Sequence, residues 1–393
     1  MDYKRFVNDR AASLKPSGIR RFFDLVSEKK GAISLGVGEP DFATPYVGRD
    51  RAVKYINKGF TQYTPNGGYP ELRELISAYY SRRYGLVYDP KTEILVTVGA
   101  SEAIDLALRA VVSYGDEVLL PDPSYVSYLP CVTMSGAVPV TVPCSEKNGF
   151  RLTAKALEEK ITAGTKVLIL PYPNNPTGGI LERADLEAIA KVCIERDILV
   201  ISDEIYSELT YTESGHVSIA SIPGMRERTV VINGFSKAFA MTGWRLGYLL
   251  CPPELLSPMY KIHQYTIMCA PTASQHAAIG VLRQSLEDDF ASVKEMRSQY
   301  DMRRRYLVNE FNEMGLHCFE PEGAFYVFPS VEGTGMDGEA FAETLLEQKN
   351  GAVVPGSAFG EGGKYFVRVS YAYSMKNLQK AVGLIREFLS ERE

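Results

Sequence analysis

The sequence lacks long apolar runs, paired cysteines and an excess of positive charge, and each absence excludes a class of protein. No stretch reaches the ~18 to 20 apolar residues that a membrane-spanning helix needs, and the N-terminus shows no apolar signal region. The six cysteines form no CxxC pair, which favours reduced thiols over a secreted disulfide scaffold or a zinc site. A net charge of −5 leaves no excess of positive charge for binding nucleic acid. We therefore expect a soluble cytoplasmic protein that binds neither membranes nor nucleic acid.

Metal ligands are also scarce, and no internal repeat, low-complexity tract or flexible linker is present. The four histidines show no spacing typical of a metal site, so we expect a structural role for each and no bound metal: His216, His263, His276 and His317.

The sequence instead alternates short apolar runs with helical patterns. A chain of 393 residues with 45% hydrophobic content can fill one large core or two. Seven apolar runs have the length of strands: 93–98, 117–120, 138–142, 167–170, 199–202, 229–232 and 247–250. Helical periodicity occurs at 71–84, 102–112 and 183–196. Apolar runs separated by helices are typical of parallel sheets covered on both faces, so we predict an α/β fold with a mainly parallel seven-stranded sheet flanked by helices.

The C-terminal part of the chain predicts a second, smaller α+β domain. A long helix over 270–315, broken near 286–289, precedes three strand candidates and a closing helix, at 324–329, 351–354, 364–370 and 375–389. The N-terminal segment, extended at residues 33–35, is expected to complete this domain. We predict a large domain over residues 44–283 and a small domain built from residues 1–43 and 284–393.

The segment around Lys237 has the residues expected beside a phosphorylated aldehyde. Residues 233–237 read NGFSK, and residues 241–247 read MTGWRLG. A lysine amine becomes nucleophilic when burial or cationic neighbours lower its pKa, and it can then form a Schiff base. Ser236 and Arg245 would hold the phosphate. Pyridoxal phosphate (PLP) requires such a lysine together with an acidic partner for its pyridinium nitrogen. For an isolated lysine, a surface loop is the alternative.

Other predicted strands also end in residues suited to this cofactor, and ligands of open α/β sheets bind at the carboxyl ends of strands. Gly99, Ala100 and Ser101 follow the 93–98 run, and their backbone N–H groups at a helix N-terminus would bind phosphate. A plain capping box is the alternative for Ser101. Tyr125, after the 117–120 run, could lie flat on an aromatic ring, with core packing as the alternative.

Two further strand ends supply an amide and an acid. Asn175, within the NNPTG sequence at 174–178, would point its amide at a ring hydroxyl, and an ordinary turn is the alternative. Asp203 follows the 199–202 run, where a buried carboxylate needs a positive charge such as a protonated pyridine nitrogen. A helix N-cap is the alternative for Asp203. Tyr206 could donate to the ring oxygen. Five of the seven predicted strand ends therefore each supply one requirement of a single ligand.

At these positions the sequence resembles the class I/II pyridoxal-phosphate-dependent aminotransferases of PLP fold type I, specifically their bacterial aspartate/aromatic aminotransferase-like branch. The likeness extends from SLGVGEPDF at 34–42 to YFVRVS at 365–370. Residues 234–247 look like the lysine-attachment signature of that family. The resemblance implies a PLP-dependent aminotransferase (transaminase) of amino-acid metabolism.

The resemblance also implies roles for individual residues. Lys237 would be the Schiff-base lysine and proton carrier, Asp203 would pair with the pyridine nitrogen, and Tyr206 would contact the ring hydroxyl. Arg368 would bind the substrate α-carboxylate as a bidentate partner. The implied cofactor-binding residues are Tyr63, Gly99, Ala100, Ser101, Tyr125, Asn175, Asp203, Tyr206, Ser236, Lys237 and Arg245, and the implied substrate-binding residues are Gly38, Asn175 and Arg368.

Tyr63, in the sequence QYTP at 62–65, resembles the tyrosine that reaches the phosphate from a neighbouring subunit, which implies a homodimer with shared active sites.

One departure from the family pattern is Gly234, which stands where some relatives place another phosphate-binding hydroxyl. We expect fewer phosphate contacts there, without loss of binding.

The implied reaction moves an amino group from an L-amino acid to a 2-oxo acid in ping-pong fashion. A PLP-dependent carbon–sulfur β-lyase needs the same Lys237, Asp203 and Arg368, so the motifs leave that alternative open. A PLP-binding regulator would need a DNA-binding domain, for which the sequence offers no basic segment. A nicotinamide-dependent dehydrogenase is suggested only by the GVG sequence at 36–38, and its pattern fails at Asp41. The amino donor also stays open, although we expect the 17–20 segment to line the substrate mouth.

Overall fold

The structure, a computed structural model, describes residues 1, 3–16, 18–29 and 31–392. Within these ranges none of the helices combines the length and the apolar character that a bilayer crossing requires. The strands, in chain order, are β1 (Ile33–Ser34), β2 (Ile94–Thr97), β3 (Glu117–Asp122), β4 (Val138–Pro143), β5 (Thr165–Leu170), β6 (Leu199–Asp203), β7 (Thr229–Gly234), β8 (Gly247–Leu250), β9 (Tyr326–Val327), β10 (Gly351–Ala352), β11 (Val354–Pro355) and β12 (Val367–Ser370). The α-helices are α1 (Asp9–Ser13), α2 (Gly18–Glu28), α3 (Tyr46–Asn57), α4 (Pro70–Tyr84), α5 (Gly99–Val111), α6 (Tyr128–Met134), α7 (Ala154–Glu158), α8 (Arg183–Glu195), α9 (Pro253–Thr266), α10 (Thr272–Glu287), α11 (Ala291–Glu313), α12 (Gly338–Lys349) and α13 (Met375–Ser390).

A seven-stranded sheet forms the centre of the fold, in the order β2–β8–β7–β6–β5–β3–β4. Strands β4, β3, β5, β6 and β7 run parallel to one another, whereas β8 is antiparallel to both β7 and β2. The predicted mainly parallel α/β sheet is therefore confirmed. Because the parallel strands share one direction, their carboxyl ends meet along one edge, where ligands of open α/β sheets bind.

Apolar side chains cover both faces of this sheet. On β5, Val167 and Ile169 join a core cluster with α5 and α9, whereas Leu168 and Leu170 join another cluster with α8. Successive side chains of a strand point to opposite faces, so a strand buried on both sides reads as a continuous apolar run. Burial on both faces is therefore the reason that these strands appear in the sequence as continuous apolar runs.

A second core lies among the C-terminal elements. Strands β11, β12 and β9 form an antiparallel three-stranded sheet, and β1 pairs in parallel with β10. One hydrophobic cluster unites Phe22 and Leu35 from the N-terminal segment with residues between Met296 and Phe388. The N-terminal segment thus packs with the C-terminal elements.

The local predictions differ from the structure in two respects. The strand predicted at 351–354 is two strands, because β10 pairs with β1 whereas β11 pairs with β12 in a different sheet. Helices α1, α3, α6, α7, α9 and α12 have no counterpart in the sequence-based prediction. Pro258 lies inside α9, and a proline within a helical pattern is normally taken as a break. The predicted break near 286–289 is found between α10 and α11, where Asp289 and Phe290 adopt positive φ.

Candidate active site

The carboxyl ends of the parallel strands open into a cavity of about 510 Å³. All of the predicted site residues except Gly99 and Tyr63 line it, namely Gly38, Ala100, Ser101, Tyr125, Asn175, Asp203, Tyr206, Ser236, Lys237, Arg245 and Arg368. These residues come from segments of both cores, because Gly38 and Arg368 belong to segments that pack in the second core. The fold therefore brings widely separated residues to one edge of the sheet.

Asp203 is the last residue of β6 and is 5% exposed. The Tyr128 hydroxyl donates to its Oδ2 at 2.8 Å, and the Ile205 backbone N–H donates to its Oδ1 at 3.1 Å. Burial raises the pKa of Asp203 to about 6, and these two hydrogen bonds oppose the rise. The hydrogen bond from Ile205 is a local turn contact, and no α-helix begins at Asp203, so the N-cap alternative does not describe this residue. A buried acid of this kind is suited to a cationic ligand atom.

Lys237 follows β7, and its Nζ donates to the carbonyl oxygen of Gly38 at 2.7 Å. The pKa of this amine is lowered to about 8, mainly by burial; Glu39 opposes the shift, whereas Arg368 and Arg245 contribute to it. A lysine with a lowered pKa carries a larger fraction of neutral, nucleophilic amine near neutral pH. The Lys237 amine is thus suited both to reacting with an aldehyde and to exchanging a proton.

Two tyrosine hydroxyls meet in the cavity that Lys237 also lines. Tyr206 Oη lies 2.9 Å from Tyr326 Oη, and burial together with this neighbour raises the pKa of Tyr206 well above its ordinary value. The sequence analysis did not identify Tyr326, whose apolar surroundings in the 324–329 run suggest only a core position. A side chain at Gly38 would overlap the Tyr326 hydroxyl, so this close approach requires glycine.

Arg368 lies on β12 with 3% of its surface exposed. Its Nη1 donates to Asn175 Oδ1 at 2.9 Å and its Nη2 donates to the Gly36 carbonyl at 2.6 Å. The guanidinium carbon is 4.4 Å from the ring centroid of Tyr326 and 4.7 Å from that of Phe359. Its Nε has no hydrogen-bond partner in the part of the chain that the structure describes. A buried guanidinium with an unpaired donor, held by rings on two sides, is suited to a carboxylate.

The N-terminus of α5 lies beside Arg245 and is suited to an anion. The first backbone N–H groups of a helix have no partner within the helix, and the helix dipole favours an anion there. Gly99 adopts φ +72°, and a Cβ at this position would lie 2.9 Å from Arg245 Nη2, so Gly99 directly adjoins this guanidinium without lining the cavity itself. The N-cap residue is Val98, whose backbone N–H donates to Glu102, so the capping-box alternative for Ser101 is not what the structure has.

Gly234 is explained by packing. A Cβ at this position would lie 3.0 Å from both Gly247 Cα and the Leu246 carbonyl oxygen. The start of β8 therefore occupies the space that a hydroxyl-bearing side chain would need.

The remaining predicted residues lie at the mouth or outside the cavity. Ile19 and Phe23 of α2 line the mouth, as expected for part of the 17–20 segment, whereas Ser17 lies outside the described residues. Tyr63 does not line the cavity and is 80% exposed. Its loop is nevertheless anchored, because Thr272 Oγ1 donates to the Gln62 carbonyl at 2.7 Å and Gln275 Nε2 donates to Thr64 Oγ1 at 3.0 Å.

A phosphorylated pyridine aldehyde fits these residues. Asp203 makes no salt bridge among the described residues, so a protonated ring nitrogen would supply the positive partner that its burial calls for. The Lys237 amine suits the aldehyde, and the α5 N-terminus with Arg245 suits the phosphate. In the ranges that the structure covers, no group of three His, Cys, Asp or Glu side chains could hold a metal ion.

Comparison with known proteins supports the same chemistry. A family model described as "Aminotransferase class I and II" matches residues 30–385. A putative aminotransferase, YugH, of Bacillus subtilis is 48% identical over 98% of this chain and 98% of its own length. An aspartate aminotransferase of Pyrococcus abyssi is 44% identical over 98% of this chain and 99% of its own. The crystal structure of an aromatic aminotransferase from Pyrococcus horikoshii superposes with a TM-score of 0.89 at 44% identity, over 94% of this chain and 99% of that one.

Proposed function

The chain belongs to the class I and II aminotransferases, which transfer an amino group between an L-amino acid and a 2-oxo acid with pyridoxal phosphate as cofactor, and we propose which of its residues do so. One observation carries the proposal. A lysine whose pKa is lowered to about 8 and an aspartate whose pKa is raised to about 6 line the same cavity, together with a buried arginine. Perturbed pairs of this kind are typical of acid–base sites.

When bound, pyridoxal phosphate supplies an electron-withdrawing ring that stabilises negative charge at the α-carbon of the amino donor. Asp203 would keep the ring nitrogen protonated, because a buried carboxylate is stabilised by a facing positive charge. Tyr125 would lie on the ring, while Asn175 and Tyr206 would contact its hydroxyl. Gly99, Ala100, Ser101, Ser236 and Arg245 would bind its phosphate.

Lys237 would hold the cofactor through its amine and, once released, carry a proton. Its Nζ would take the proton from the α-carbon of the amino donor and deliver it within the same cavity. The lowered pKa supports this role, since a neutral amine is needed to accept a proton. The hydrogen bond to the Gly38 carbonyl gives the amine a defined resting position.

Arg368 would bind the α-carboxylate of both substrates. The Nε–H, which has no hydrogen-bond partner among the described residues, is a donor that a carboxylate would accept. Asn175 would orient the guanidinium through its 2.9 Å hydrogen bond, and Gly38 would lie beside the bound carboxylate. This arrangement accounts for a requirement for a free α-carboxylate in every donor and acceptor.

The chain would act as a homodimer with its active sites shared. Large apolar side chains are exposed on α3, on the 60–63 loop and at the end of α9: Tyr46, Val53, Ile56, Phe60, Tyr63, Tyr265, Ile267 and Met268. Exposed apolar surface on this scale is typical of an interface. Tyr63 projects from a loop whose backbone is fixed by Thr272 and Gln275, so its side chain is well placed to enter the cavity of a second copy.

The predicted domains also form part of the proposal, with residues 44–283 as the large domain and residues 1–43 and 284–393 as the small one. The shared core of Phe22, Leu35 and the C-terminal elements supports this division. A cytoplasmic location is proposed on the six unpaired cysteine thiols.

Aminotransferase activity is tested with a panel of amino donors and with 2-oxoglutarate and pyruvate as acceptors. We expect one 2-oxo acid and one new amino acid in equal amounts, and Lys237→Ala to abolish turnover. The carbon–sulfur β-lyase alternative is not favoured, since the relatives reported above are named as aminotransferases. Ammonia and pyruvate released from cystathionine without an acceptor would instead support the lyase. The same panel determines whether aspartate, an aromatic amino acid or another donor is preferred.

A further inference from the structure

His263 of α9 is buried between two segments that flank the phosphate-binding end of the site. Its side chain is 0% exposed, its Nδ1 lies 2.6 Å from Glu102 Oε1, and its Nε2 lies 2.9 Å from the Asn66 carbonyl oxygen. Glu102 belongs to the first turn of α5, next to Ser101. Asn66 belongs to the loop that carries Tyr63. One imidazole therefore contacts both the helix that would bind the phosphate and the loop that would reach the neighbouring subunit.

The acceptors around this ring define where its protons lie. A carbonyl oxygen can only accept, so Nε2 carries a hydrogen toward Asn66. Nδ1 faces a carboxylate oxygen at hydrogen-bond distance, and a proton must lie between these two atoms. An ionised carboxylate only accepts hydrogen bonds, so Nδ1 would be the donor in this contact. Both nitrogens would then be donors, as in an imidazolium paired with the Glu102 carboxylate.

This pairing matters because of the position of Glu102. Its other oxygen, Oε2, accepts the backbone N–H of Val98, which is the N-cap residue of α5. The carboxylate is thus fixed within the same first turn of α5 as the N–H groups of Ala100 and Ser101. An unpaired negative charge at that place would oppose a phosphate dianion, whereas a charge neutralised by an imidazolium leaves the positive end of the helix dipole available.

The second hydrogen bond connects the same ring to the 62–66 loop. Gln275 and Thr272 hold the loop at Thr64 and Gln62, and His263 holds it at Asn66. Of these three anchors, the one at Asn66 also reaches the phosphate end of the site, through Glu102. The loop and the α5 N-terminus are consequently positioned relative to each other by a single side chain.

We propose that His263 is held as an imidazolium and is a positioning residue for cofactor phosphate, neutralising Glu102 at the start of α5 and fixing the Asn66 end of the Tyr63 loop. The proposal rests on the assignment of the α5 N-terminus to the phosphate under the proposed function. His263 itself touches neither substrate nor cofactor, and it acts through Glu102 and Asn66.

The test compares binding of pyridoxal phosphate with binding of pyridoxal, which lacks the phosphate, to cofactor-free protein. In His263→Phe the Glu102 carboxylate loses its cation, and we expect the affinity for pyridoxal phosphate to fall ~10-fold or more while the affinity for pyridoxal changes little. Glu102→Gln is the matched control, because the introduced side-chain amide can accept from Val98 and donate to a neutral imidazole that still donates to Asn66. We expect this variant to retain the preference for the phosphorylated ligand.

The double variant, His263→Phe with Glu102→Gln, should recover most of that preference, because the uncompensated charge is removed. A loss of affinity for both ligands by the same factor in His263→Phe would mean a merely structural role and would overturn the proposal. No amino donor is needed for these titrations, so a protein that shifts its ligand preference as expected but transfers no amino group would refute the proposed function alone.

A measurement on unaltered protein keeps the proposal testable if His263→Phe does not fold. In holoenzyme labelled with ¹⁵N-histidine, the His263 ring should show two protonated nitrogens at neutral pH, and in Glu102→Gln only one. A single protonated nitrogen in the unaltered holoenzyme would overturn the imidazolium assignment.

Discussion

The Tyr128 hydroxyl donates a hydrogen bond of 2.8 Å to the carboxylate of Asp203 across the carboxyl end of the central sheet. Tyr128 begins α6, and its ring meets the ring of Tyr125 edge to face with centroids 5.5 Å apart. Tyr128 therefore contacts both Tyr125, which is proposed to lie on the cofactor ring, and Asp203, which is proposed to face the ring nitrogen. Because this hydrogen bond favours the ionised carboxylate, Tyr128 sets the range of pH in which Asp203 carries its charge.

We expect Tyr128→Phe to shift the acid limb of kcat/KM to higher pH. The hydroxyl opposes the rise that burial causes in the pKa of Asp203, so its removal moves that pKa further above about 6. A hydrogen bond to a charged group contributes ~1.5 kcal/mol or more, which corresponds to about one pH unit. The measurement is a pH profile of kcat/KM with one amino donor.

The matched control is Tyr125→Phe, which removes the same atom from the neighbouring ring without touching Asp203. Its acid limb should stay where it is in the unaltered enzyme. Equal shifts in the two variants would show that the hydrogen bond to Asp203 is not the cause.

Lys237→Met should change how stability depends on pH. In the cofactor-free protein the pKa of Lys237 is about 8 instead of 10.5, so between these values the unfolded chain binds one more proton than the folded one. The free energy of unfolding of the unaltered protein should therefore rise from pH 8 to pH 10.5 relative to that of the variant. Because part of the side chain reaches solvent, we expect a change of ~1–2 kcal/mol.

Thermal unfolding of both proteins across this pH range makes the measurement, and Lys155→Met serves as the control at an exposed lysine. Below pH 8 the amine is charged in both states, so the difference between Lys237→Met and the unaltered protein should be constant there. A difference that stays constant up to pH 10.5 would contradict the lowered pKa.

Arg368→Lys should weaken the recognition of the α-carboxylate. An ammonium group cannot present two parallel donors or stack between the rings of Tyr326 and Phe359. We expect kcat/KM for amino acids to fall ~100-fold, as for the loss of a charge-assisted contact of about 3 kcal/mol. Activity toward an amine without a carboxylate, such as 2-phenylethylamine compared with phenylalanine, should hardly change.

Arg304→Lys is a useful second control, because Arg304 is also buried but pairs with Asp301 and Glu320. Arg304→Lys should lower stability without changing the ratio of kcat/KM for phenylalanine to that for 2-phenylethylamine. If Arg368→Lys leaves that ratio unchanged as well, Arg368 does not bind the carboxylate.

The sequence alone predicts the central sheet and the residues at its carboxyl edge because both depend on local patterns. Strands buried on two faces are continuous apolar runs, and polar residues directly after such runs, such as Asp203, are conspicuous. Lys237 and Gly99, which are proposed to bind the aldehyde and the phosphate, are recognised in the same way. The run at 351–354 is misleading, because strand pairing to two different sheets cannot be recognised within four residues.

The partners of these residues could not be predicted from the sequence. Tyr128 and Asp203 are 75 positions apart, Tyr206 and Tyr326 are 120 apart, and Glu102 and His263 are 161 apart. A tyrosine that supports the site and one that fills the core have the same local signature, since only tertiary packing decides where the hydroxyl lies. The residues that tune the site are thus less visible than those that form it.

Subunit complementation tests the shared active site. In a hybrid dimer of one Lys237→Ala chain and one Tyr63→Ala chain, the cavity that keeps Lys237 would receive Tyr63 from the partner and be complete. Unfolding and reassociating the two variants in equal amounts makes half of the dimers hybrids, each with one complete site of two, so about a quarter of the unaltered activity should return. Each variant treated alone should remain nearly inactive. If Tyr63 instead served the cavity of its own chain, every cavity in the hybrid would lack either Lys237 or Tyr63, and mixing would restore nothing.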